Sequence, residues 1–217
     1  MDAGRPTPGE SQDRFLMIAG AICLDFVNTL GGLRGARTEE YMRTYADLLR
    51  WSHQAGILSA GAAGRLLGAA HGDEAGAVMA RAVALREALS GIFTRLLDGA
   101  EPARADMEVL NAELSRSLAH MALAYTREEG FAWRWAGEES ALDGMLWPMA
   151  RSAADLLLSA EVQSLRQCDS PTCGWLFLDL TKNHSRRWCD MRGCGNRAKV
   201  QRHRARKRSD LAAAGEA

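Results

Sequence analysis

The first 163 residues of this 217-residue chain contain no lysine. Their 15 arginines face 22 aspartates and glutamates, a net charge of −7. Any contact with a polyanion is therefore left to the remaining, C-terminal part. No run of about 18 uncharged apolar residues occurs, which excludes an ordinary membrane-spanning helix. The N-terminus lacks a secretory apolar region, and the apolar patch from Phe15 to Leu30 is interrupted by Asp25 and Asn28. A cytoplasmic location is expected. Residues 1–14 have almost nothing to bury and are expected to be disordered. There is no Ser/His/Asp grouping, phosphate loop or metalloprotease motif, so enzymatic function finds no support. His53, His71 and His120 show no metal-binding spacing.

What is present lies near the end of the chain. Residues 164–208 carry 12 Lys and Arg against 3 Asp, a net +9, and residues 209–217 form a tail of −2. A pI of about 7.0 thus conceals an acidic body joined to a basic end. Four of the five cysteines fall in that end as two matched pairs, Cys168-x4-Cys173 and Cys189-x4-Cys194, with fifteen residues between the pairs. Reduced thiols at paired spacing point to a metal rather than to disulfides. Zinc suits four thiolates, and a saturated shell leaves no open position for water, so one structural zinc ion is expected. Such an ion can supply about 10 kcal/mol or more to a module too small to build a core. Gly174 and Gly195 follow the two pairs and offer permissive backbone for the ligand turns. Asp190 is placed to accept backbone N–H groups after the third ligand.

Between the pairs, Trp175–Asp179 and Arg186–Trp188 are expected as two strands around a Lys182-Asn183-His184 turn. A helix is expected to follow from about Cys194. Knuckle, hairpin, second pair and helix make a treble-clef-like finger. The helix carries Arg197, Lys199, Arg202, Arg204, Arg206, Lys207 and Arg208 with few apolar residues, so it repels itself unless anions neutralise it. Arginine and Gln201 can reach base edges in a major groove, and phosphate-only contact is the competing expectation. Arg186 and Arg187 complete the candidate nucleic-acid set.

The body reads as mostly α-helical. One helix is expected from Thr38, its candidate N-cap, to Gly56. A shorter one spans Ser59–Ala70, weakened by three glycines. The longest, Asp73–Leu97, has a buried stripe of Val78, Ala82, Leu85, Leu89, Ile92, Phe93 and Leu96. Pro102 opens another, to about Ser117. Met121–Thr126 and Phe131–Trp135 flank a glycine-bearing break and predict a β-hairpin. Leu142–Ala160 predicts a helix with Pro148 near its start, because proline inside it would cost about 3 kcal/mol. Trp133, Trp135 and Trp147 are expected in the core, and Cys23 as a buried structural thiol. Asp25 and Asn28 inside an apolar run must find partners. Effector recognition, with Arg50 and Trp51, and backbone capping are both open to them.

The string Arg186-Arg187-Trp188-Cys189-Asp190-Met191-Arg192-Gly193-Cys194-Gly195-Asn196-Arg197 resembles the CGNR zinc-finger family, as do Cys168-x4-Cys173, Phe177-Leu178-Asp179 and Lys182-Asn183. Cys23 to Leu30, Leu48-Leu49-Arg50-Trp51 and Trp147 to Leu157 are similar to the ABATE domain that precedes the finger in that family. The resemblance covers most of the chain. It implies a regulator of transcription with a DNA-binding end and a body that senses an effector. The expected architecture is a helical ABATE-like domain over 15–160 with one β-hairpin, followed by the finger over 165–208. Expected partners are DNA, a small-molecule effector and a second copy as homodimer, with no membrane. An RNA-binding zinc module and a treble-clef nuclease, with His184 near a second metal, are the alternatives.

Overall fold

A computed structural model of the chain describes residues 15–32, 38–137 and 139–215, with side chains as far as Lys207. The segment 1–14 expected to be disordered lies outside the described residues. Helix α1 (Ile22–Val27) is short and buries five of its six residues. Strands β1 (Leu30–Gly31) and β2 (Glu39–Glu40) pair antiparallel. Helices α2 (Tyr45–Gln54), α3 (Ala60–Ala69), α4 (Gly72–Leu97) and α5 (Arg104–Ala119) follow, then the hairpin β3 (Met121–Thr126) and β4 (Gly130–Trp135), then α6 (Leu146–Leu158). The chain is mostly helical, as its periodicity predicts. Helix α4 packs on α5, α1 and α2, and α6 packs on α5 and α1, so α1 is enclosed by the longer helices.

Local chemistry explains several boundaries. Thr44 Oγ1 accepts from Asp47 N at 3.2 Å while Asp47 Oδ2 accepts from Thr44 N at 2.9 Å, a capping box that starts α2. Ser59 Oγ accepts from Ala62 N at 3.2 Å and starts α3 despite its glycines. Gly56, at φ +74°, ends the turn after α2. Pro148 lies in the first turn of α6, where its missing N–H costs nothing.

Four expectations for the body are corrected. Thr38 caps no helix, because Glu39 and Glu40 are drawn into β2. There Glu40 Oε1 and Oε2 accept from Arg86 Nη1 and Nη2 at 2.7 and 2.6 Å, and Arg86 is buried in α4. A tertiary ion pair overrides the local helix signal. Pro102 precedes α5 rather than opening it. Leu96 is 36% exposed at the edge of the α4 stripe. Trp147 is buried, but Trp133 is exposed on the hairpin.

After α6, a 3-10 turn (Ala160–Ser164) leads into β5 (Leu165–Gln167), which pairs antiparallel with β6 (Leu176–Leu178). A π-helical turn (Met191–Gly195) then opens α7 (Asn196–Gly215), so residues expected as a tail after 208 remain helical as far as Gly215. The strand partner of β6 thus lies before the first cysteine, not at Arg186–Trp188. That segment instead runs beside the knuckle, where Asp169 N donates to Arg187 O at 2.9 Å. The apolar core is continuous from α1 through β6 to the four cysteines.

Candidate metal centre and nucleic-acid interface

Cys168 follows directly on β5 and Cys173 precedes β6, so strand pairing brings the first two thiols together. Gly174 permits the turn at φ +90°. Cys189 and Cys194 flank and enter the π turn, which Asp190 caps. Its Oδ1 accepts from Arg192 N at 3.0 Å and its Oδ2 from Gly193 N at 2.7 Å. Gly195 serves by closeness rather than by φ: a Cβ there would stand 2.9 Å from Met191 Sδ and 3.2 Å from Trp188 Cδ1.

All four thiols are buried, and their sulfurs lie within 4.8 Å of one another. Cys189 Sγ is 3.7 Å from both Cys173 Sγ and Cys194 Sγ. Four sulfurs held about 2.3 Å from one tetrahedral ion stand about 3.8 Å apart, whereas a disulfide needs about 2.05 Å. The cage therefore fits a single zinc ion, with every coordination position filled by protein. The electrostatics agree. Hydrogen bonds from Cys173 and Cys189 hold the Cys168 thiol far below its ordinary pKa. Cys173 and Cys189 are pushed up by their bonds to that thiolate. Neighbouring buried thiolates repel, and a central cation lets all four ionise. Among the described residues no other group of three or more metal-capable side chains gathers. His184 Nδ1 lies 2.9 Å from Asp179 O, outside the cage.

The candidate nucleic-acid residues divide into two groups. Lys199, Gln201, Arg202, Arg204, Arg206 and Lys207 are exposed on α7, and among the described residues none of these five cations forms an ion pair. The Arg208 side chain lies outside the described residues. Arg187 is exposed beside Asp169, 2.6 Å from its Oδ2. The other two are engaged internally. Arg197 Nη2 donates to Cys194 Sγ at 3.0 Å, and that sulfur holds the guanidinium charged. Arg186 is engaged within the finger and with the body. Its guanidinium donates to the carbonyls of Trp188, Cys189 and Ile18 and lies 4.3 Å over the Phe177 ring.

The four candidate effector residues lie apart, each with partners inside the chain. Asp25 Oδ1 accepts from Ile18 N at 2.8 Å and Ala19 N at 2.9 Å. Burial raises its pKa against those bonds. Asn28 clamps β6: Nδ2 donates to Leu176 O at 2.8 Å and Oδ1 accepts from Leu176 N at 2.9 Å. Trp51 is fully buried against Phe26, and Arg50 lies on the surface beside Asp47. Asp25 and Asn28 tie α1 to backbone elsewhere in the chain. Asn28, with Trp175 Nε1 donating to Leu30 O at 3.2 Å and Leu178 N to Ala19 O at 2.7 Å, docks the finger on the body.

Sequence reading passed over Asp179. Its Oδ1 accepts from Thr181 N and Oγ1 and its Oδ2 from Arg186 N, and the Thr181 bond holds its carboxyl below the usual range. Its place inside the apolar run Leu176–Leu180 carried the same signal that singled out Asp25. Cys23 is buried, and burial pushes its thiol up to about 12, which makes it inert. A cavity of about 550 Å³ opens where body and finger meet, lined among others by Tyr41, Trp175, Cys173, Cys189 and Arg197.

Two family models match the chain. Residues 20–160 match ABATE, described as a putative stress-induced transcription regulator, and residues 164–207 match the CGNR zinc finger. No curated protein matches it. The cage and the finger match together assign one structural zinc ion to Cys168, Cys173, Cys189 and Cys194.

Proposed function

This chain belongs to the ABATE family and ends in a CGNR zinc finger, and from that premise we propose that it regulates transcription by binding duplex DNA through α7. The observation that carries the reading is a helix that continues from the cysteine turn and packs mainly on it, with exposed Lys199, Arg202, Arg204, Arg206 and Lys207 forming no ion pair among the described residues. Zinc aligns the first turn through Cys194 and Arg197. The helix then extends outward as a rod of positive charge, while the −7 body stays away from the phosphates. A rod of that width fits a major groove, where Gln201 and arginine can meet base edges.

Duplex DNA is favoured over unpaired RNA because the two tryptophans of the finger are occupied. Trp175 is half-buried and edge-on to Tyr41 with ring centroids 6.4 Å apart, and the Arg187 guanidinium stands 5.4 Å over the half-buried Trp188 ring, so neither is a fully exposed stacking platform. No observation favours the nuclease reading. The sensing role belongs to the cavity at the junction, where a ligand would touch both the body and the zinc turns. A metabolite that raises the melting temperature of the wild type but not of Trp175→Ala would support that placement.

Fluorescence anisotropy with duplex DNA at several salt concentrations tests the main reading. Cys194→Ser should abolish binding, and Arg202→Ala with Arg206→Ala should lower the salt slope by about 2. Binding that survives both changes refutes it.

A further inference from the structure

The hairpin β3–β4 is a sheet of only two strands, in register Leu123 opposite Trp133 and Tyr125 opposite Phe131. Strand alternation puts these four side chains on one face and leaves Ala122, Ala124, Ala132 and Arg134 on the other. A soluble hairpin normally turns its large apolar face to the core. Here that face looks outward: Leu123 is 61% exposed, Tyr125 63%, Phe131 74% and Trp133 61%. Only the base of the hairpin is tied down. Ala136 N donates to His120 O at 2.7 Å, and the Trp135 ring stands 6.3 Å from Trp147.

Such a hairpin is marginal in water on its own. Tyr125 and Phe131 pack together at 5.0 Å between centroids, yet both stay mostly exposed. At these exposures the four side chains present on the order of 500 Å² of surface. That lies at the upper end of the apolar patches that soluble proteins leave uncovered.

We propose that this face is a homodimer interface, covered by the same face of a second copy of the chain. Two such patches joined about a twofold axis bury about 1,000 Å² in total, the lower bound for a specific protein interface. The composition suits an interface centre: three aromatics and a leucine, with no charge among them. The turn at the rim carries both signs, in exposed Arg127 and Glu128. Identical rims can therefore meet without a like-charge clash. The net charge of the body, −7 over residues 1–163, opposes the two other polyanionic occupants of an aromatic hairpin, anionic lipid and nucleic acid. The inference stands on the hairpin alone. If α7 also binds DNA, pairing the bodies supplies two reading helices where one short helix spans few base pairs.

Sedimentation equilibrium of the zinc-loaded full chain tests the proposal. The expected mass is twice the 23.6 kDa of one chain, falling to one chain on dilution. Phe131→Glu with Trp133→Glu should weaken self-association at least about a hundredfold, because burying two charges in the contact is costly. Both positions are exposed, so the variant should keep its zinc and helical content. Ala122→Glu, on the opposite face, should leave the dimer intact. Three results would each overturn the proposal: a single-chain mass at every concentration, a dimer indifferent to the double variant, or Ala122→Glu dissociating it equally. Flotation of a monomeric protein with anionic vesicles would also overturn it and assign the face to a membrane. Loss of DNA binding with the dimer intact would refute only the reading of α7.

Discussion

Asn28 offers the sharpest test of how the finger is held. Its amide meets Leu176 as a strand would, donating to the carbonyl at 2.8 Å and accepting from the N–H at 2.9 Å, with Asn28 3% exposed. Asn28→Ala removes both partners and leaves two buried backbone groups unpaired at about 1–3 kcal/mol each, so about 2–6 kcal/mol of stability should go. That is a large share of the 5–15 kcal/mol typical of a domain. Urea unfolding at saturating zinc measures it. Because Leu176 lies between two zinc ligands in sequence, the loss should also appear in metal affinity. A 2 kcal/mol deficit corresponds to about 30-fold weaker zinc in a chelator competition. Asn28→Asp separates the two bonds. The carboxylate still accepts from Leu176 N but faces Leu176 O without a proton. Burial raises the pKa of such an acid, and its protonated form can donate. The deficit of this variant should therefore shrink as pH falls and grow as pH rises through that raised pKa. A loss below about 0.5 kcal/mol for Asn28→Ala, or full stability loss with unchanged zinc affinity, would refute the idea that clamp and metal form one folding unit.

Other expectations follow from the same geometry. Asp25→Ala should cost about 2 kcal/mol, because Ile18 N and Ala19 N lose their acceptor, while Asp25→Asn keeps an oxygen there and should cost less. Burial raises the pKa of Asp25, so its contribution to stability is fullest below its unfolded pKa and falls as pH rises through the folded one. Thermal melts of wild type and Asp25→Asn across pH 4 to 7 should show that slope only in the wild type. Protons compete with zinc for the four thiolates, so acidification should release the metal. A colorimetric zinc assay should show release together with loss of α7 helicity by circular dichroism. A helix that persists after metal release would contradict nucleation by the zinc turn.

The features legible in the sequence were those written in short-range pattern. The cysteine pairs, the stripe of α4, the turn before β4, the position of Pro148 and the cap Asp190 all depend on residues a few places apart. Distant partners defeated the same reading. Thr38 looked like an N-cap until Arg86, 46 positions beyond Glu40, pulled Glu40 into a strand. Asp25 and Asn28 were singled out rightly as polar groups that needed partners. The partners proved to be the chain's own backbone, 148 positions away for Asn28. Trp133 shows the converse, since alternation gives the period of a strand but not which face the core covers.

The sequence by itself determined the chemistry of the C-terminal end: four thiolates at matched spacing, a zinc ion to neutralise them, and a run of arginine and lysine beyond. Ligand identity and charge are properties of residues and survive any arrangement of the rest. Only the tertiary structure decided which polar groups are already satisfied. It gave Arg186, Asp25 and Asn28 partners within the chain, seated the finger on α1, and turned an aromatic face outward. Hydrogen-bond satisfaction and burial depend on neighbours far along the chain, and no local pattern encodes them.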